Sequence, residues 1–278
     1  MGYTHHYSWF GAPYVNSFAL LSDDPEVDGA VVFVHGFLGD PHETWYAFQD
    51  MISSHATAQT YWSKRDLFFF TYRSFRNGIE TSARSLLSFL TLIFPSPPDD
   101  LLSISASVSV PASLGSLNSP ARTYSRLVMV GHSEGGLVIR KAVVIAETAP
   151  HPISKARVVL FAPAISGVNP AGFKGMLMQL RPTNWIALPF LSDSRAYRDM
   201  NSAEFRDDVR NDTLHARGVH KEHTALWAKL VFGSKEDVVT PVKWPDDNQA
   251  PEELGQNHLS ICKPKSKYDP PITFIAQS

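Results

Sequence analysis

Apolar residues arrive along this chain in short runs separated by longer amphipathic stretches. Ala30–Val34 (AVVFV), Leu67–Thr71 (LFFFT), Leu127–Val130 (LVMV), Ala156–Phe161 (ARVVLF) and Ala225–Phe232 (ALWAKLVF) are the clearest runs. Runs of that length, mostly apolar on both sides of the backbone, suit strands covered on both faces. Between them lie stretches with helical spacing. Pro41–His55 puts Trp45, Phe48, Met51 and Ile52 on one side, and Ile79–Phe94 does the same with Leu86, Leu87, Leu90 and Ile93. After Ser133, Leu137, Val138, Ile139, Ala142, Val143, Ile145 and Ala146 alternate with Arg140, Lys141 and Glu147. The order strand, helix, strand, helix predicts an α/β fold: a mostly parallel sheet with helices on both faces.

Residues 1–29 are aromatic and irregular, with an edge strand expected around Tyr14–Leu21, and Asp269-Pro270-Pro271 opens a short terminal helix. Two segments interrupt the rhythm. Residues 95–122 are rich in Ser and Pro and read as a surface loop. Residues 163–217 are too long for a connector and too apolar for disorder, with patches at Met176–Leu180 and Trp185–Leu191 and one helix over Ser194–Arg210. That segment is expected to form an inserted cap, so the whole of 1–278 reads as one domain carrying a lid.

Composition narrows the class. A chain of 278 residues with 44% hydrophobic and 19% charged side chains can bury a full core. Its net charge of −2 gives no electrostatic footprint for nucleic acid. The single cysteine, Cys262, excludes an internal disulfide framework and CxxC metal sites. The pair His5-His6 has no third ligand near it in sequence, so no metal and no cofactor is expected. The N-terminal residues show no basic-then-apolar signal pattern, and no stretch approaches a membrane span, so a cytoplasmic location is expected.

The chemistry concentrates in Gly131-His132-Ser133-Glu134-Gly135, a G-x-S-x-G pentapeptide between the Leu127–Val130 run and an apolar helix. A serine on a strand-to-helix turn is presented by a strained backbone, and its neighbours must lack bulk. The helix behind it offers N–H groups and a partial positive charge to a developing oxyanion. His35-Gly36-Phe37 ends the Ala30–Val34 strand, where a second oxyanion donor belongs. The expected donors are the backbone N–H groups of Phe37 and Glu134. Asp237, in the loop after the last apolar run, is the expected acid. Glu236 is its immediate competitor, and Asp246 and Asp247 are more distant ones. Among the histidines, only His258 follows Asp237 in sequence. Ser133, Asp237 and His258 thus stand in the chain order Ser…Asp…His.

Taken together, His35–Gly39 with Trp45, Gly131–Arg140, Ser234–Val239 and His258–Pro264 resemble the α/β-hydrolase superfamily. They are similar in particular to a branch holding serine-active-site-containing proteins of lipid remodelling, GPI inositol-deacylases and related serine esterases. One departure is Glu134, where that branch often has Leu or Met. The resemblance implies hydrolysis of carboxylic esters through an acyl-enzyme, without metal or cofactor. The apolar cap directs the expectation to a small-molecule or lipid-like ester, with peripheral membrane contact left open. The same residues also suit a thioesterase, an amidase or an acyltransferase. A binding protein on the same scaffold, or recruitment of a partner through 95–122, are the non-enzymatic alternatives.

Overall fold

A computed structural model describes residues 5–10, 12–14, 16–53, 60–98, 122–147, 151–179, 189–265 and 269–277. In chain order its strands are β1 (His5–Trp9), β2 (Phe18–Ser22), β3 (Gly29–Val34), β4 (Arg65–Phe70), β5 (Arg126–His132), β6 (Arg157–Phe161), β7 (Ala228–Val231), β8 (Gly233–Lys235), β9 (Asn248–Gln249) and β10 (Glu253–Asn257). Its helices are α1 (Pro41–Ser53), α2 (Thr60–Ser63), α3 (Ile79–Ile93), α4 (Glu134–Ala146), α5 (Pro170–Gln179), α6 (Arg195–Asn201), α7 (Ala203–Val219) and α8 (Pro270–Ala276).

Eight strands form one sheet in the order β1-β2-β4-β3-β5-β6-β7-β9. From β4 through β9 every neighbouring pair is parallel; only β1 and β2, at one edge, run antiparallel to their neighbours. The five apolar runs are β3 to β7, as their patterning predicts. β3 and β4 are buried along their whole length. The edge strand expected around Tyr14–Leu21 is β2, beginning at Phe18, and β1 lies outside it.

The phenylalanines of β4 explain why a continuous apolar run works here. Successive strand residues point to opposite faces. Phe69 stacks on Phe33 at 4.8 Å, and Phe33 meets Trp45 and Phe48 of α1. Phe68 and Phe70 instead meet Phe89 of α3. One run therefore anchors helices on both faces, and all three phenylalanines are fully buried. A buried Phe of this kind is worth about 1.5–3 kcal/mol in transfer free energy.

The interrupting segments differ from expectation in detail. The 163–217 segment holds α5, α6 and α7. The single helix expected over Ser194–Arg210 is two helices, because Ser202 ends α6 and then caps α7, its hydroxyl accepting from the Phe205 amide at 3.2 Å. Most of the Trp185–Leu191 patch and residues 99–121 of the Ser/Pro-rich stretch lie outside the described residues. No helix among the described residues is long and apolar enough to cross a membrane.

Candidate active site

Ser133 sits at the C-terminal end of β5, at the turn into α4, with φ 55° and ψ −122°. A non-glycine residue in that region carries a strain of about 1–3 kcal/mol. Three backbone bonds hold it there: Ser133 N–H to Phe161 at 3.1 Å, and the Gly136 and Ala164 amides to the Ser133 carbonyl, both at 3.0 Å. The turn depends on missing side chains. A Cβ on Gly135 would fall 2.4 Å from the Val34 carbonyl oxygen, and one on Gly36 would fall 2.8 Å from Ser133 Cβ. The first contact brings α4 against the end of β3. The second places the His35-Gly36-Phe37 loop directly against the serine.

That loop is rigid. His35 is fully buried and stacks on Tyr72 at 4.5 Å. Its Nδ1–H donates to the Gly36 carbonyl at 2.8 Å, while the Tyr72 hydroxyl donates to the His35 carbonyl at 2.8 Å. Burial pulls the His35 pKa down to about 4, so the ring is neutral near pH 7. Among the described residues, neither the Phe37 nor the Glu134 amide is spent on a hydrogen bond within the fold. Glu134 follows Ser133 directly, and Phe37 follows Gly36, whose backbone packs against Ser133 Cβ.

His258 follows β10 and is almost wholly buried. Its backbone carbonyl accepts from Nε2–H of His132, the residue before the serine, at 2.8 Å. The two rings lie 4.8 Å apart. Burial drives the His132 pKa well below the ordinary range, so this ring is a neutral tether. The Nδ1–H of His258 donates to Glu236 Oε1 at 2.9 Å. The carboxylate on the imidazole is thus Glu236, not the expected Asp237.

The reason lies in β8 and β10, which pair in parallel with Asn257 opposite Lys235. One residue past that register, His258 and Glu236 leave the ladder side by side. The Glu236 side chain is 2% exposed, and its Oε1 also accepts from the Val238 and Val239 amides at 2.9 and 3.0 Å. Asp237, one residue on, is exposed instead. Asp247 is committed elsewhere, bonding Arg140 of α4 and Arg217 of α7 at 2.5 Å each, deep in the core.

Ser133 Oγ, His258 Nε2 and Glu236 Oε2 are among the buried polar atoms that have no hydrogen-bond partner within the described residues. Buried polar groups normally find partners. The first two are the atoms that a serine-to-histidine proton transfer would join. A cleft of about 480 Å³ runs beside His258. One wall is Ala171, Gly172, Gly175 and Met176 of α5, and Asp237 and Leu259 lie on the other side. Its size matches sites that take small organic ligands. Glu134, next to the serine, is fully buried, and burial raises its carboxyl well above the usual range, reinforced by Asp199.

The model of the alpha/beta hydrolase family matches residues 31–261, which span every element just described from β3 to His258. The chain belongs to the alpha/beta hydrolase family. Solved alpha/beta hydrolases similar to it include MGS-MChE2, from a metagenome of lagoon sediments of Mar Chica, Morocco. That match has 13% identity and a TM-score of 0.50, covering 97% of this chain and 94% of that one. Naproxen esterase (carboxylesterase NP) from Bacillus subtilis is similar at 12% identity and TM-score 0.50, covering 95% and 88%. Phospholipase PlaB from Legionella pneumophila matches at 14% identity and TM-score 0.42, over 74% of this chain and 38% of that one. At these identities the likeness is one of fold. No curated protein matches this alpha/beta hydrolase in sequence.

Within this alpha/beta hydrolase the expected site residues fall as follows. Ser133, His258 and the amides of Phe37 and Glu134 gather around the C-terminal ends of β3 and β5. Asp237 lines the cleft but makes no bond to His258. Glu236, the competitor placed second to Asp237, is the residue that bonds His258, and the signal for it is the pairing of Gly233–Lys235 with Glu253–Asn257. Those segments are polar and largely exposed, so they carry no apolar strand pattern.

Proposed function

We propose that this alpha/beta hydrolase is a serine esterase acting on carboxylic esters with an apolar acyl group. Ser133 Oγ attacks the ester carbonyl carbon while His258 Nε2 takes its proton. Glu236 holds the His258 tautomer with Nδ1 protonated and balances the imidazolium that forms. The Phe37 and Glu134 N–H groups receive the oxyanion. The tetrahedral intermediate then expels the alcohol, which leaves with the proton from His258. Water attacks the acyl-enzyme by the same route, and His258 returns the proton to Ser133.

The observation that carries this reading is the set of unused groups around one strained serine. A buried hydroxyl without a partner, a buried imidazole whose other nitrogen is held by a carboxylate, and two unspent amides belong to elements that two glycines let approach closely. The carboxylesterase among the similar structures agrees with the same reaction class.

The 163–217 segment is read as a cap because α5 walls the cleft beside His258. Gly175 faces open space there, and Met176 and Leu259 give the cleft apolar lining. The resemblance of the motifs to lipid-remodelling esterases is in keeping with a lipid-like acyl group. A panel of p-nitrophenyl esters from C2 to C16, with matched thioesters and anilides, tests the reading. Turnover of esters with a chain-length optimum above C2, abolished in Ser133→Ala, is expected. Turnover confined to the thioesters or anilides would reassign the leaving-group class, and no turnover of any would leave only a binding scaffold.

A further inference from the structure

At the opposite end of α4 from Ser133, Glu147 meets two histidines from a different part of the chain. His220 caps the C-terminus of α7, and His223 follows after one tight turn. The His223 amide donates to the His220 carbonyl at 3.1 Å, so the H-x-x-H spacing puts both rings on one side. The rings are nearly parallel at 8°, with centroids 4.7 Å apart. His223 Nδ1 lies 2.5 Å from Glu147 Oε2. One ligand-capable atom from each of Glu147, His220 and His223 lies within 4.8 Å of the others.

We propose that Glu147, His220 and His223 bind one divalent transition-metal ion of the zinc class, clamping the C-terminal end of α4 to that of α7. Two imidazoles and a carboxylate form a donor set that zinc accepts, with a fourth position left for water.

Three further observations point to a ligand. The Glu147 side chain is only 6% exposed, and its Oε1 has no hydrogen-bond partner among the described residues. A buried carboxylate oxygen without a partner is costly unless something binds it. The C-terminal ends of α4 and α7 converge here, and the partial negative charge of both favours a cation. Finally, His223 Nε2 faces Glu222 Oε1 at 3.3 Å. A metal-bound histidine commonly gives its other N–H to a carboxylate in this way, which fixes the ring and its tautomer.

Coordination asks the ligand atoms, now within 4.8 Å of one another, to draw together and the stacked rings of His220 and His223 to turn toward a common point. Tetrahedral zinc holds its N and O ligands roughly 3.3 Å apart, so the Glu147–His223 pair has instead to open by just under ~1 Å. The competing arrangement is a plain ion pair between protonated His223 and Glu147, with His220 stacked on it.

Tag-free full-length protein, stripped with EDTA and freed of chelator, is titrated with zinc chloride by calorimetry and followed by thermal melting. One zinc per chain and a zinc-dependent rise in Tm are expected. His220→Ala and His223→Ala should each weaken binding by at least ~100-fold, given that even a lost outer partner costs 10–100-fold. Both variants should lose the Tm rise, and Glu147→Gln should bind more than tenfold more weakly. α4 is roughly 20 Å long, so ester turnover should be unchanged in all three. Where a variant does not fold, zinc X-ray absorption on the wild type decides. Two imidazole nitrogens and one carboxylate oxygen support the clamp, and any other ligand set overturns it. Zinc binding below half an equivalent, or an equal Tm rise in the folded histidine variants, means an ion pair and no metal site.

Discussion

The exchange of Glu236 for Asp237 as the acid makes the sharpest prediction. In Glu236→Gln the side chain keeps its shape. One oxygen accepts His258 Nδ1–H and the Val238 and Val239 amides in the wild type, at 2.9, 2.9 and 3.0 Å. A glutamine oxygen in that place can accept the same three bonds, so the loop and the His258 tautomer survive. What is lost is the negative charge beside an imidazolium that exists only on the way through the transition state. With charge centres roughly 4 Å apart and an effective dielectric near ~20, that attraction is about 4 kcal/mol. The expected loss is about 10³-fold in kcat. Asp237→Asn changes an exposed group that does not touch His258, so its kcat should stay within about threefold of wild type. Steady-state hydrolysis of p-nitrophenyl butyrate, with melting curves to show both variants folded, measures the two. A Glu236→Gln variant within tenfold of wild type, beside a crippled Asp237→Asn variant, would refute the assignment.

Three other outcomes follow from the packing. Asp247→Asn removes the carboxylate that, among the described residues, pairs with the buried Arg140 and Arg217 guanidinium groups. Breaking such an arrangement costs about 3–5 kcal/mol, and melting should show a fall in Tm of at least ~6 °C. Glu134 keeps its proton in the folded state to well above the usual carboxylate range, whereas the unfolded chain releases it near pH 4.5. Stability contributed by that proton is complete below the unfolded value and is lost as pH rises toward the folded one. Urea unfolding should therefore show wild type losing stability between pH 5 and 8 relative to Glu134→Gln, whose added contribution is pH-independent; parallel profiles would count against a buried neutral acid. Gly36→Ala places a methyl 2.8 Å from Ser133 Cβ, so kcat should drop by more than about tenfold with KM less affected.

Much of the fold could be read from the chain because a two-sided parallel sheet writes itself as continuous apolar runs. Val31–Val34, Phe68–Phe70 and Val128–Val130 are buried on both faces, and no amphipathic helix imitates that pattern. The placement of Ser133 on a strand-to-helix turn was legible for a different reason: the glycines at 131 and 135 have a mechanical cause. The choice between Glu236 and Asp237 was not. It turns on the register of a two-stranded ladder whose members, GSK and ELGQN, are polar and held by backbone bonds. The break at Ser202 escaped for a similar reason. One serine ends a helix and starts the next, and charged residues continue on either side. The meeting of Glu147 with His220 and His223 depends on how α4 and α7 pack, and residues 73 positions apart leave no local trace of it.

If Ser133 Oγ is the nucleophile, covalent labelling finds it. A fluorophosphonate probe incubated with the native enzyme, followed by digestion and mass spectrometry, locates the adduct. One adduct is expected, on Ser133, formed at least ~100-fold more slowly in His258→Ala and absent from Ser133→Ala. An adduct on any other residue, or undiminished labelling of the Ser133→Ala protein, would contradict that role for Ser133.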